Sequence, residues 1–320
     1  MSEGVGIIER GLLDLIIARI PGLKPGSRVY LCEKFDREGD FTALKAYDIE
    51  RICAARRGEA EAGRLFDDET ERWSMAGVVS RAEQDAELME RRGIHWVSVA
   101  EKAYPPLLRE IYDPPAVLFY RGALPPSDKL TIAMVGTRKP GSAALRWAYE
   151  TARDLSLAGV VVVSGLAVGI DAMAHRGSVD AASGELDTAP AAAVLGSSVD
   201  EVYPASNRTL ARRIVMSGGA LLSEYLPGTR PAKWTFPARN RIISGLCRCT
   251  VVVEAGEKSG ALITADFALE QNRDLYVAGV PADGDLDDKI FGYGCRRLAE
   301  DGAKVVHNSV DILTGLGLEM

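Results

Sequence analysis

The chain carries two kinds of hydrophobic pattern in succession. Near its start, Leu12, Leu13, Leu15, Ile16, Ile17 and Ile20 recur at spacings that give a helix one apolar face. Pro21 and Gly22 end that helix, and in IPGLKPGSRVYL the glycines and Pro25 predict a tight hairpin leading into a second helix. Residues 1–75 thus read as a small helical domain, and 36–92, rich in Glu and Arg at helical spacing, as a solvated face. Tyr104-Pro105-Pro106 and Asp113-Pro114-Pro115 then punctuate the chain around a short strand, Val117 to Tyr120, which predicts a connector into a second domain. From Thr131 onward the pattern changes to apolar, β-branched runs: TIAMVG (131–136), VVVVSG (160–165), AAAVLG (191–196), GALLSE (219–224), TVVVEA (250–255), DLYVAG (274–279) and KVVH (304–307). Continuous rather than alternating runs mean strands buried on both faces, and helical segments between most of them mean a parallel sheet. The prediction is a doubly wound α/β domain over 76–320.

Composition narrows the class. A length of 320 residues fits two domains, and 47% hydrophobic with 26% charged residues excludes disordered, collagen-like and coiled-coil chains. The net charge of -7 argues, on its face, against an acidic partner such as DNA or a lipid headgroup. Five cysteines, at 32, 53, 247, 249 and 295, lack the C-x-x-C spacing of a zinc site, so the reading is a reduced, cytoplasmic chain with no metal. Glu9 and Asp14 interrupt the N-terminal apolar stretch, which is therefore neither a signal peptide nor a membrane span.

In a doubly wound sheet, ligands bind beyond the carboxyl ends of the strands. Those ends here carry Gly136, Ser164-Gly165, Gly196, Ser223-Glu224, Glu254-Ala255 and Gly279, small or polar where a ligand backbone would approach. Gly136 to Ser142 opens a helix with Arg138 and Lys139 beside its free amides, a candidate anion site. It is neither G-x-G-x-x-G nor a Walker loop, so nicotinamide binding and phosphoryl transfer lose their usual support, and no cofactor is expected. Asp171 and His175 share a helical face, as a catalytic pair or as a polar pair fixing the helix against its loop. Ser164 lacks the G-x-S-x-G elbow of a hydrolase nucleophile. Ser259 and Gly260, at another strand-to-helix junction, suit either phosphate contact or helix capping.

The segment 208–248 overturns the charge argument. It holds eight basic residues, Arg208, Arg212, Arg213, Arg230, Lys233, Arg239, Arg241 and Arg248, against the single acid Glu224. The rest of the chain is an acidic body, with 30 basic against 44 acidic side chains. Within the segment, Lys233 to Arg241 (KWTFPARNR) alternates cations with rings and an amide: cations neutralise phosphates, rings such as Phe236 stack on unpaired bases, and Asn240 can read a base edge. A solvated basic face or a dimer surface is the plainer reading.

In order, VGTRKPGS, SGLAVGIDAMAH, AAAVLGSSVDEVYPASNRTL, GALLSEYLPGT, FPARNRIISGL, VVVEAGEKSGALITADFALEQNRDLYVAGVP and GCRRLAEDGAKVV make roughly residues 95–307 resemble the DNA-processing protein A family, also called Smf or DNA-protecting protein. IPGLKPGSRVYL also resembles a helix-hairpin-helix element with Lys24 in the place of its second glycine, for packing or for DNA contact. The family resemblance implies an extended Rossmann-like domain after a small all-α (SAM-like) domain, with no C-terminal winged helix up to Met320. It implies a non-enzymatic, homodimeric, cytoplasmic protein that binds single-stranded DNA and helps load RecA in natural transformation. By motif it implies Arg138, Lys233, Arg239, Asn240 and Arg241 as strand contacts, with Gly136, Lys139, Gly165, Phe236, Ser259 and Gly260 completing the site. Two departures stand out: Val168 replaces the arginine or leucine of many members, and 182–189 looks like an insertion. The alternative is a nucleotide hydrolase of the LOG, or lysine-decarboxylase-like, type using Glu224 or Glu254, but its P-G-G-x-G-T-x-x-E signature is missing.

Overall fold

A computed structural model describes residues 10–38, 75–182, 191–280 and 289–318. Cys53, most of the Glu/Arg-rich stretch and all but Ala182 of the segment read as an insertion lie outside the described residues. The chain divides into two compact units, 1–104 with 113–119, and 105–112 with 120–320.

In the first unit the predicted helix–hairpin–helix is present. Helix α1 (Arg10–Arg19) ends before Pro21, Gly22 takes φ +72° in the turn, and α2 (Pro25–Glu38) starts on the proline whose fixed φ suits a first helical position. Leu15, Ile16 and Ile17 of α1, Ile20 just past it, and Leu31 of α2 are fully buried, as the spacing requires. Helix α3 (Met75–Arg92) packs on α1 and is pinned there by a bidentate pair: Arg19 Nε and Nη2 donate to Asp85 at 2.6 and 2.7 Å. Strand β1 (His95–Ser98) follows, and Tyr104, fully buried, donates its hydroxyl to the carbonyl of Pro115 at 2.8 Å.

The second unit is the doubly wound sheet. After the short helix α4 (Pro106–Arg109) and the end of β2 (Val117–Gly122), its strands are β3 (Thr131–Val135), β4 (Val161–Ser164), β5 (Ala192–Val194), β6 (Ala220–Ser223), β7 (Cys249–Val252), β8 (Asp274–Val280) and β10 (Lys304–Val306). They lie in the order β6-β5-β4-β3-β7-β8-β10, all pairs parallel; β9 (Lys289–Ile290) joins β8 antiparallel. Every residue of β3, β4, β5, β6 and β7 is buried, which is why their sequences are unbroken apolar runs. On one face, Ile132, Met134, Val162 and Val251 pack under α5 (Ser142–Leu157) and α6 (Ile170–Ala181). Thr131 points the other way and donates to the carbonyl of Leu246, just past α8 (Thr235–Gly245), which packs against α9 (Gly260–Glu270). Helix α7 (Arg208–Met216) links β5 to β6, and α10 (Tyr293–Glu300) and α11 (Ser309–Gly315) flank β10.

Strand order reverses at β3: β4 to β6 extend to one side, β7, β8 and β10 to the other. The helices after β3 and β7 leave opposite faces, so the chain opens a crevice at the carboxyl ends of these two strands.

Candidate nucleic-acid interface

A cleft of about 630 Å³ opens at that switch point. Its walls come from the loop after β3 (Gly136 to Lys139), the start of α6, Tyr203 in the loop after β5, the stretch from Lys233 through α8, and the Ser259 to Thr264 start of α9. A smaller recess beside it is bounded by Arg138, Gly165, Val168, Tyr203, Pro204, Phe236 and Arg239. Of the sequence-predicted residues, Gly136, Arg138, Lys139, Lys233, Phe236, Arg239, Asn240, Ser259 and Gly260 line the cleft, and Gly165 the recess.

They do not all do the same thing. Arg138, Lys139 and Lys233 are exposed, and none pairs with an acid among the described residues. Arg138 lies over the Phe236 ring, 5.8 Å from its centroid, and the Tyr203 ring is tilted against Phe236 with the centroids 5.5 Å apart. Cation and rings therefore share one wall, and the ring faces attract the guanidinium. Trp234, 65% exposed, stands edge-on to Tyr225 at 6.0 Å. Asn240 Nδ2 donates to the carbonyl of Gly260 at 3.3 Å, tying α8 to the start of α9. Ser259 caps α9, its hydroxyl accepting from the Ala261 amide, so the capping reading describes its geometry.

Arg239 and Arg241 correct the picture of four cations around a strand. Arg241 does not line the cleft: its two terminal nitrogens donate to the Glu224 carboxylate at 2.8 and 2.6 Å, and it is buried. One residue further along a helix turns the side chain by about 100°, which carries Arg241 away from the face that holds Asn240. Arg239 lines the cleft but is only 4% exposed, its Nη1 donating to the carbonyls of Val194 and, at 2.8 Å, Gly165. Burial pulls this guanidinium down to about 10, against the attraction of Asp171. It is charged at neutral pH and turned into the protein. The wider basic segment also disperses: Arg213 pairs with Asp180 at 2.6 Å, and Arg248 precedes β7, at the amino ends of the strands and so away from the cleft at their carboxyl ends.

The strand-end glycines serve the protein's own side chains. A Cβ on Gly165 would run into the Arg239 guanidinium, one on Gly196 into the Phe236 ring at 2.8 Å, and one on Gly136 into Ile170 at 2.6 Å. At Gly260 nothing lies within 4 Å, so there the open approach expected of a ligand-facing glycine is kept.

Asp171 and His175 are both buried. Asp171 Oδ2 accepts from the amides of Gly165 (3.2 Å) and Ala167 (3.4 Å), which fixes the loop before α6. His175 is fully buried, and burial pulls its imidazole down to about 3, so it is neutral. Ser164 donates to the Met134 carbonyl at 2.6 Å inside the sheet. Of the two carboxylates that a hydrolase could use, Glu224 is held by Arg241, and Glu254 accepts from the Gly141 amide at 2.9 Å at the start of α5. Neither lines the cleft.

Thr137, Tyr203, Pro237, Ile263 and Thr264 also line the cleft, beyond the residues the sequence singles out. Tyr203 had a usable signal, an aromatic beside a proline in a loop on the carboxyl side of a strand.

Comparison with known proteins gives a consistent result. Residues 95–317 match the family model described as DNA recombination-mediator protein A. The Smf protein of Synechocystis sp. is 41% identical over 218 residues, 67% of this chain. That match spans 52% of the Synechocystis protein, so the chain covers about half of that relative's length. The X-ray structure of DNA processing protein A from Streptococcus pneumoniae superposes with a TM-score of 0.65 at 30% identity, over 98% of this chain and 96% of that one. A structure of DNA processing protein A from Helicobacter pylori, concerned with that protein's single-stranded DNA binding mode, gives a TM-score of 0.57 at 27% identity, over 70% of this chain and 95% of the other.

Proposed function

Because this chain belongs to the DNA recombination-mediator protein A family, we propose that it binds single-stranded DNA in the cleft at the β3/β7 switch point and serves as a recombination mediator. One observation carries the reading: three exposed cations, Arg138, Lys139 and Lys233, share a cleft with the half-buried ring of Phe236 and the exposed ring of Tyr203, and among the described residues the one carboxylate lining it, Asp171, is buried. Cations neutralise successive phosphates, while the rings offer stacking surfaces to bases that a duplex keeps hidden. Asn240, beside the open Gly260, is the amide placed to meet a base edge. Binding needs no chemistry and no cofactor. In the same proposal the protein works as a homodimer in the cytoplasm and hands the coated strand to a RecA-type recombinase.

Fluorescence anisotropy with a labelled oligo-dT, against the same length of duplex, tests this. Single strands should bind more tightly than duplex, and Arg138→Glu with Lys233→Glu should abolish binding while the protein stays folded. Equal affinity for duplex, or binding that survives both reversals, would overturn the proposal.

A further inference from the structure

Arg239 and Asp171 are the two charged groups in the cleft wall that are too buried to meet a phosphate directly, at 4% and 6% exposure. What they do instead can be traced bond by bond. Gly165, at the carboxyl end of β4, donates its amide to Asp171 and gives its carbonyl to Arg239. Asp171 also accepts from the amide of Ala167, and the amide of Ile170 beside it donates to the carbonyl of Thr137 at 3.3 Å, in the loop that carries Arg138 and Lys139. Arg239 reaches across to the carbonyl of Val194 at the end of β5. Two opposite charges on either side of a single glycine therefore join the ends of β4 and β5 to α8, and the start of α6 ties them to the loop after β3. On α8, Phe236 lies one turn before Arg239 and on the same face, and it packs on Gly196 two residues past Val194. Seating Arg239 on β4 and β5 sets where Phe236 stands, and seating the loop before α6 on Asp171 sets where Ile170 holds Thr137, the residue before Arg138. Arg239 and Arg138 repel each other across the cleft wall, so the Asp171 charge offsets a repulsion the cleft would otherwise hold.

We infer that Arg239 and Asp171 are positioning residues, a buried brace that holds Arg138 over Phe236 and so presents cation and ring together to the strand. The inference rests on the reading of the cleft as a single-stranded DNA site, and it changes the role of Arg239 from contact to support.

Two variants separate support from electrostatics by the sign of the effect. Asp171→Asn removes a negative charge from the wall of a phosphate site, so by charge alone it strengthens oligo-dT binding; by loss of the brace it weakens it. We expect roughly tenfold weaker binding, the scale on which a misplaced contact group costs affinity. Arg239→Lys keeps the charge but not the fork that bridges two carbonyls. It should weaken binding at every salt concentration with the slope of log K against log [KCl] unchanged, because no phosphate contact is lost. In an Arg138→Ala background the same Arg239→Lys change should cost less than twofold, because the group it positions is gone. Tighter binding by Asp171→Asn, a slope reduced by about 0.7 in Arg239→Lys, or full additivity with Arg138→Ala would each overturn the role. Hydrogen exchange in the free protein reads the brace without DNA: the Gly165 and Ala167 amides should exchange faster in Asp171→Asn. Unchanged exchange overturns the brace alone, whereas wild-type protein that binds no oligonucleotide overturns the DNA reading and this role with it.

Discussion

Gly165→Ala is the sharpest test of how the cleft is built. Gly165 does not sit in the positive-φ region, so alanine is allowed by the backbone and the substitution probes space alone. An added Cβ would stand 2.6 Å from Arg239 Nη2 and 2.7 Å from Cζ, and closer still to Nη1. Ordinary contact needs about 3.5 Å, so the guanidinium must retreat by about 1 Å. That retreat stretches the 2.8 Å bond to the Gly165 carbonyl beyond hydrogen-bond range and breaks its partner at Val194. Bonds from a charged donor contribute about 1.5–3 kcal/mol each, and partial relaxation into the cleft recovers some of that, so the net cost is about 3 kcal/mol. In a unit of this size that lowers the thermal midpoint by about 6–12 °C. Urea titration followed by circular dichroism gives the loss directly, and the Gly165→Ala/Arg239→Ala double variant gives the cause. With the guanidinium gone there is nothing to strike, so the double variant should be no less stable than Arg239→Ala alone. A Gly165→Ala protein within 0.5 kcal/mol of wild type, or fully additive losses, would refute the placement of Arg239.

Three further outcomes follow from the same geometry. With Arg138, Lys139 and Lys233 as the exposed cations, log K for oligo-dT should fall with log [KCl] at a slope of about -2, and a slope of -3 or steeper would mean that further cations reach the strand. Arg241→Ala leaves Glu224 partly buried without its bidentate partner, and should cost about 2–3 kcal/mol in urea unfolding while leaving that salt slope as it was. His175, pulled down to about 3 in the folded state against 6.5 when free, takes up its proton only on unfolding. Between pH 6.5 and 3 stability should therefore fall as pH falls, by up to about 1.4 kcal/mol per unit, and His175→Leu should flatten that limb of the stability profile by about one proton.

Much of the architecture was written in local pattern. Unbroken apolar runs at 131–136, 160–165 and 250–255 can only be strands covered on both sides, and they became β3, β4 and β7 in a parallel sheet. The helix of 12–20 with its proline and glycine stop became α1 for the same local reasons. The short strands β1 and β9 were not foreseen, since four and two residues carry too little periodicity to register.

The site divided differently. Composition along 208–248 located the basic, aromatic segment, and strand ends located the crevice, because charge density and strand polarity are properties of sequence alone. Which cations face outward was decided by the tertiary structure. Lys233, Arg239 and Arg241 are equivalent as letters, yet Lys233 is exposed, Arg239 is seated on two strand carbonyls, and Arg241 is paired with Glu224 seventeen residues away. A guanidinium's role depends on which carbonyls and carboxylates the fold brings within 3 Å, and those partners lie on other strands. The glycines carry the same lesson. Gly136, Gly165 and Gly260 all suggested room for a ligand, but only packing distinguishes a space filled by Ile170 or Arg239 from one left open to solvent.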